Sequence, residues 1–261
     1  MFKSYLVLFL LIINTLVFSQ ENTTIELKNI VELDADEFIG INMFDELFFV
    51  KNNTLHKHTS NENYAYKNIQ LGDLDNVSII NSLQSSVFYK NFNTLVQLDK
   101  KFGELRVINF NQSINLSSVG YAATTNDKHL WIFNSDTQQL QIYNPRNDTI
   151  EVSTVPVQEP IIKFYSNYNF CWVLTATKLL QFNVYGNLLN EYALEAYDDF
   201  TYYNDFFVLK KENTLSILPT EATETQNLDL PEIPVKEFSV TNETLYIYTG
   251  KKLYSFTLNL K

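Results

Sequence analysis

One short phrase recurs six times along this chain, and the spacing of its copies narrows the available folds more than any other property of the sequence. The copies read FDELFFVKNNTLHKH from Phe44, SSVFYKNFNTLVQLD from Ser85, NDKHLWIFNSDTQQLQIY from Asn126, YNFCWVLTATKLLQFN from Tyr168, NDFFVLKKENTLSIL from Asn204 and NETLYIYTGKKLYSFTL from Asn242. Each is a polar corner, a short apolar run, a polar turn and a second apolar strand, the pattern of a β-hairpin. A leucine anchors the second strand of each copy: Leu55, Leu95, Leu140, Leu180, Leu215 and Leu253. Successive anchors lie roughly 40 residues apart, with scatter of about five.

An all-strand repeat of that length is the period of a four-stranded propeller blade. The remaining strands fall where a blade needs them. Apolar runs precede the hairpins (FIGINM, NVSIIN, SSVGYAA, PIIKFY, DFTYY and VKEFSV) and read as inner strands around a central channel. A fourth strand follows several hairpins, in AYKNIQL, ELRVINF, TIEVSTV and LNEYAL. The last repeat stops at Lys261 without one, whereas the first is preceded by a spare strand, TTIELKNIVEL, from Thr23 to Leu33. The expectation is therefore an all-β propeller of about six four-stranded blades, closed when the N-terminal strand pairs with the strand around 253–258. The alternation of Ile25, Leu27 and, after a change of phase near Asn29, Ile30 supplies apolar faces for that strand. With only 6 Gly and 6 Pro in the chain, Asn carries most turns, because it tolerates left-handed backbone and hydrogen-bonds its own main chain. Gly103 and Gly186 mark two further hairpin turns.

The ends and the charge bound the location and the partners. Residues 1–19 hold one cation, Lys3, then an apolar run from Tyr5 to Phe18 and small Ser19, the layout of a secretory signal peptide. The expected organisation is a signal over 1–19 and one propeller domain over 20–261, exported to the periplasm or cell envelope, monomeric, with no membrane span once the signal is removed. The formal net charge of -11 repels phosphates, so no nucleic-acid partner is expected. Cys171 is the only cysteine, so the fold rests on burial without internal disulfides, and 45% hydrophobic residues supply that burial.

The six hairpins quoted above resemble exported six-bladed β-propellers of the TolB-like and NHL-like group. The signal ending VFSQ, with its Asn-, Phe- and Tyr-rich continuation, looks like exported proteins of Bacteroidetes. The resemblance is architectural. The chain has no WD dipeptide and no kelch double glycine, and no functional residue is carried over from that group, whose members range from hydrolases and lyases to pure scaffolds.

Catalytic signatures are missing from the sequence: it holds no G-x-S-x-G, no P-loop and no H-E-x-x-H. His56 and His58 alternate on one strand face, as a metal pair could, but they read as the solvated face of a hairpin. Asp198 and Asp199, with Asp36, Glu37, Asn81 and Asn126 as imaginable partners, would be the parts of a channel cation site, but spacing fixes none of them. No metal and no cofactor is expected. The ND and NE corners at Asn126, Asn204 and Asn242 read as Asx turns. Tyr165, Tyr168, Trp172, Tyr202 and Tyr203 fall in neighbouring blades near the channel mouth. Packing between blades consumes such rings; on an open face they would bind a protein, carbohydrate or peptide ligand. The expected function is a noncatalytic binding scaffold. The alternative is a hydrolase or lyase with a metal or carboxylate site in the channel.

Overall fold

The computed structural model describes residues 24–126 and 128–259, so the expected signal segment lies outside the described residues. Its strands form six four-stranded antiparallel sheets, and the chain is a six-bladed β-propeller. Blades 1 to 5 follow one another over 37–66, 76–109, 119–153, 161–193 and 199–227. Blade 6 combines Glu237–Thr241, Thr244–Tyr248 and Lys252–Asn259 with the N-terminal strand Thr24–Glu32. The first strand of each blade lies innermost: Glu37–Ile41, Asn76–Asn81, Val119–Asn126, Ile161–Ser166, Asp199–Tyr203 and Glu237–Thr241. All six expected inner strands are present.

The second strand of each blade reads as a continuous apolar run because both of its faces are covered. Side chains alternate across a strand, so neighbouring residues enter different inter-blade cores. In blade 2, Val87 and Tyr89 pack toward blade 1 while Phe88 packs toward blade 3. In blade 3, Trp131 and Phe133 meet Cys171 and Val173 of blade 4, whereas Leu130 and Ile132 meet Phe88 and Leu95. In blade 4, Trp172 and Leu174 face Phe200 and Phe207 of blade 5. Six such cores exist among the described residues, one at each blade junction. Cys171 is fully buried in one of them, and burial pushes its thiol pKa well up, so it behaves as a small hydrophobe.

Two details of the repeat depart from the expectation. The blade 4 counterpart of Leu140 and Leu215 is Leu179, which packs toward the next blade; Leu180 faces the previous one. A slip of one residue reverses the face of a strand, and two adjacent leucines conceal it. Blade 5 has an outer strand of two residues, Gln226–Asn227. Nothing in the Thr- and Glu-rich text around it alternates.

The corners show why so few glycines suffice. Asn52–Asn53, Asn204–Asp205 and Asn242–Glu243 each place two consecutive residues at positive φ, between 42° and 64°. Each pair is the two-residue loop of a tight hairpin, flanked by the register pairs Lys51↔Thr54, Tyr203↔Phe206 and Thr241↔Thr244. These are type I′ geometries, which match the twist of the strands they join, rather than the Asx turns expected there. Asx turns occur elsewhere: the Oδ1 atoms of Asn81, Asn134, Asn167 and Asn183 accept from main-chain N–H groups two residues on. In the Gly103 hairpin the left-handed residue is Phe102, at φ 66°, while Asp99 Oδ1 accepts from Gly103 N at 2.9 Å.

Ring closure follows the expected pairing. Thr24–Glu32 lies antiparallel to Lys252–Asn259, with Ile25 opposite Leu258, Leu27 opposite Phe256 and Asn29 opposite Ser255. The register shifts between Leu27 and Asn29, so a bulge at Lys28 produces the change of phase. The apolar cover is thinner than expected. Leu27 is 49% exposed, Ile30 44% and Val31 43%. Ile25 packs into the core between blades 5 and 6, and Leu33 into the core between blades 6 and 1. Closure therefore rests chiefly on the main-chain ladder. At the same seam Tyr248 Oη donates to the Ala35 carbonyl at 2.6 Å and Thr241 Oγ1 to the Ile41 carbonyl at 2.7 Å.

A chain beginning at Asp34 loses that ladder together with Leu33 and Ile25. Burial of two aliphatic side chains is worth about 3–5 kcal/mol, which lowers Tm by roughly 6–20 °C in a domain of this size. Thermal unfolding followed by circular dichroism checks this; a Tm unchanged within about 2 °C would show that the strand is not part of the ring.

Candidate functional site: the central channel

The inner strands run in one sense along the channel, so their first residues meet at the same mouth. Three of them open with an acidic residue followed by phenylalanine: Glu37–Phe38, Asp199–Phe200 and Glu237–Phe238. The phenylalanines are buried, and alternation turns the acids toward the channel. The channel encloses about 620 Å³ and is lined by the inner strands of all six blades. Glu37, Asp75, Lys90, Lys163, Asp199 and Glu237 border it at the charged mouth. Aliphatic side chains share the wall: Ile39, Ile41, Ile79 and Ile80 follow the acids into the channel, while Ile162, 45% exposed, precedes Lys163 at the mouth itself. At the opposite mouth the lining residues include the uncharged Asn42, Ser82, Tyr203 and Thr241.

The charged mouth is partly matched, the exceptions being Glu37 and Asp75, whose side chains make no hydrogen bond or ion pair among the described residues. Lys163 Nζ lies 3.3 Å from Asp199 Oδ1, bridging blades 4 and 5. Glu237 accepts from the Phe38 main-chain N–H at 2.9 Å and lies 3.6 Å from Lys236 Nζ. Lys90 offsets the charge of Asp75. Among the described residues Glu37 makes neither a hydrogen bond nor an ion pair. It stands in channel water but is surrounded by protein, and this partial desolvation, followed by repulsion from Glu237, raises its pKa above the ordinary range against the opposing pull of Lys163 and Lys236. Glu237 is raised as well, chiefly by desolvation, with the Phe38 N–H and Lys236 opposing.

The expected aromatic site is divided in this arrangement. Trp172 is fully buried between blades 4 and 5, stacked on Tyr202 at 4.3 Å and tilted against Tyr165 at 5.8 Å. Tyr165 and Tyr202 show one edge to the channel and otherwise belong to the inter-blade core. The Tyr202 hydroxyl donates to Asp205 Oδ1 at 2.9 Å, and burial helps to push its pKa up to about 12. Tyr203 lies on the opposite rim, where its hydroxyl accepts from Glu243 N at 3.0 Å. Tyr168 is 41% exposed on the turn after the blade 4 inner strand, away from the channel wall. The five rings do not form one continuous face.

The imagined cation set is likewise dispersed. Asp36 and Asp198 occupy equivalent positions in blades 1 and 5, and each accepts from a main-chain N–H of its own blade's hairpin, at Asn52 and Glu212. They act as structural caps. The Asn81 side chain closes an Asx turn, and that of Asn126 lies outside the described residues. His56 stacks on Phe49 and His58 meets the same ring edge-on, each 4.9 Å from it, and His129 pairs with Glu151 at 3.0 Å. Among the described residues no three His, Cys, Asp or Glu side chains are grouped to hold a metal.

Comparison with known proteins extends the description of the fold only. No family model and no curated protein matches the sequence. Among solved structures, a catalytically inactive virginiamycin B lyase from Staphylococcus aureus, crystallised with quinupristin, superposes with a TM-score of 0.59 at 13% identity, covering 84% of this chain and 79% of its own. The WD40 propeller domain of Doa1 gives 0.58 at 13% identity, covering 81% and 74%. The Pan2 WD40 domain of Neurospora crassa gives 0.56 at 10%, covering 86% and 75%. One of these is a lyase and two are WD40 domains. What they share with this chain is the propeller.

The electrostatics of the mouth have a measurable consequence. A carboxyl whose pKa is raised on folding contributes stability that is full below its unfolded value, near 4.3, and is lost as pH rises through the folded value. Glu37→Gln removes both the desolvation penalty and the repulsion of Glu237. The variant should therefore melt above the parent at pH 7 and converge with it as pH falls to about 4. A variant that melts below the parent at pH 7 would mean that Glu37 holds a stabilising partner.

Proposed function

We propose that this protein is an exported, noncatalytic binding module of the cell envelope, a rigid ring that takes a protein, carbohydrate or peptide ligand at its central channel. The observation that carries this reading is the matched charge of the channel mouth. Lys163 with Asp199, and Lys236 with Glu237, neutralise one another across and within blades instead of converging on one reacting atom, as a catalytic set must. The tight turns, the continuous inter-blade cores and the closed ring favour a preorganised surface, which lowers the entropic cost of binding. Export is inferred from the layout of residues 1–19.

A hydrolase or lyase acting through the channel is the second reading. It is favoured by the adjacency of Glu37 and Glu237, both with raised pKa, because such a pair can hold a proton for general acid catalysis. The experiment that separates these readings uses the full chain carrying a C-terminal tag, expressed in its own host and recovered from an envelope extract. Mass spectrometry should find a mature N-terminus at or near Gln20 and a co-purifying ligand that is lost from a folded Ile162→Trp variant, whose indole fills the channel. A ligand retained by that variant would contradict the channel reading, and an intact Met1 would contradict export. Turnover of the ligand by the parent but not by Glu37→Gln would replace the binding module with the enzyme.

A further inference from the structure

We infer that the charged mouth binds a primary ammonium group carried on an aliphatic chain, with Glu37 as its acceptor and the isoleucines at and beneath the mouth as its apolar wall. This inference rests on the channel being the ligand site and names the chemistry it selects.

Three observations converge on that ligand. The first is the charge remainder. Four carboxylates (Glu37, Asp75, Asp199 and Glu237) and two ammonium groups (Lys90 and Lys163) line the mouth. Lys163 is bound to Asp199, Lys90 offsets Asp75, and Lys236, just outside the lining, approaches Glu237. Four acids face three lysines, so one negative charge remains, and Glu37 is one of two carboxylates, with Asp75, that make no ion pair among the described residues. An incoming cation gains its attraction and relieves its repulsion with Glu237, whereas an anion meets a negative site on a chain of net charge -11.

The second observation is the wall. Ile39, Ile41, Ile79, Ile80, Ile161 and Ile162 line the same cavity. They are drawn from the inner strands of blades 1, 2 and 4, and Ile162 leaves 45% of its surface uncovered. Aliphatic surface facing water in a concave wall is released from that water by an aliphatic occupant.

The third observation is the geometry of the acceptor. Glu237 Oε2 is already taken by the Phe38 N–H, so Glu37 and Glu237 do not stand as two free carboxylates side by side. A compact ammonium with rotatable donors suits a single carboxylate, while a guanidinium gains most from a bidentate partner. The cavity of about 620 Å³ admits an alkyl chain lying along the channel axis.

The test uses the full chain and three probes of equal length, hexylamine (protonated at pH 7), hexanoate and 1-hexanol, with binding read by calorimetry and amide chemical shifts. Hexylammonium should bind about tenfold or more tightly than hexanol, the worth of one charge-assisted hydrogen bond, and should shift the amides of Glu37, Ile39 and Ile162. Glu37→Gln should remove that preference, while Glu224→Gln, a change on the exposed surface, should keep it. A short peptide carrying one lysine, run beside hexylamine, separates a protein-borne ammonium from a free one, and binding of either through Glu37 supports the inference. Hexanoate binding as tightly as hexylammonium, a Glu37→Gln variant with unchanged preference, or no hexylammonium binding at millimolar concentration would each overturn it. Hexanol or hexanoate binding that shifts the channel amides and is lost in Ile162→Trp would leave the channel reading standing while this inference fails.

Discussion

A radial sheet with two apolar faces is stable only when both faces are covered, and in this chain the covering of the last blade depends on residues from the opposite end of the sequence. Thr24–Glu32 completes blade 6 by pairing with Lys252–Asn259. Every other blade junction is made between consecutive repeats. Without this one, the blade 6 face that carries Tyr248 and Leu253 and the blade 1 face that carries Phe38 and Phe49 would have no fixed distance between them. Closure also removes the open edge that two unpaired terminal blades would offer to other chains. Exposed Leu27, Ile30 and Val31 show that the closing strand contributes its ladder more than its side chains.

The seam that closes the ring is also where the candidate site is made. Glu37 opens the inner strand of blade 1 and Glu237 that of blade 6, nearly the full length of the chain apart. Their carboxylates become neighbours only when the ring is shut, and the Phe38 N–H that holds Glu237 crosses the same seam. The raised pKa values of both groups are therefore properties of the closed ring. Lys163 and Asp199 extend the same charged rim across blades 4 and 5. One geometric fact, the common direction of six inner strands, gathers all of these residues at one mouth.

Most of the architecture was legible in the sequence because it is local and repeated. The apolar runs, the corner asparagines and the phase change near Asn29 each set backbone geometry within a few residues, and the structure places hairpins, inner strands and the closing bulge accordingly. The errors fell where local text is ambiguous. Leu179 and Leu180 are both apolar and adjacent, so only the packing tells which faces blade 5. The two-residue outer strand of blade 5 is too short to alternate. The five aromatic rings lie in blades 4 and 5, but sequence position does not say which side of a sheet a ring enters, and Trp172 packs into the core. The carboxylates of the mouth carried a readable signal, the acid–phenylalanine pair that opens three inner strands. Its meaning depends on ring order, which brings blade 6 beside blade 1.

The ring stands on the register of the closing strand. Glu26 lies opposite Thr257, so the double substitution Glu26→Cys and Thr257→Cys should form an intramolecular disulfide on mild oxidation, while buried Cys171 stays unreacted. Linking residues so far apart should raise stability by up to about 5 kcal/mol in the chain-entropy model, read as a higher Tm for the oxidised monomer than for the reduced one. The displaced pair Glu26→Cys and Ser255→Cys should close far less readily. Disulfides that form only between molecules, or equal closure of the two pairs, would contradict the ring.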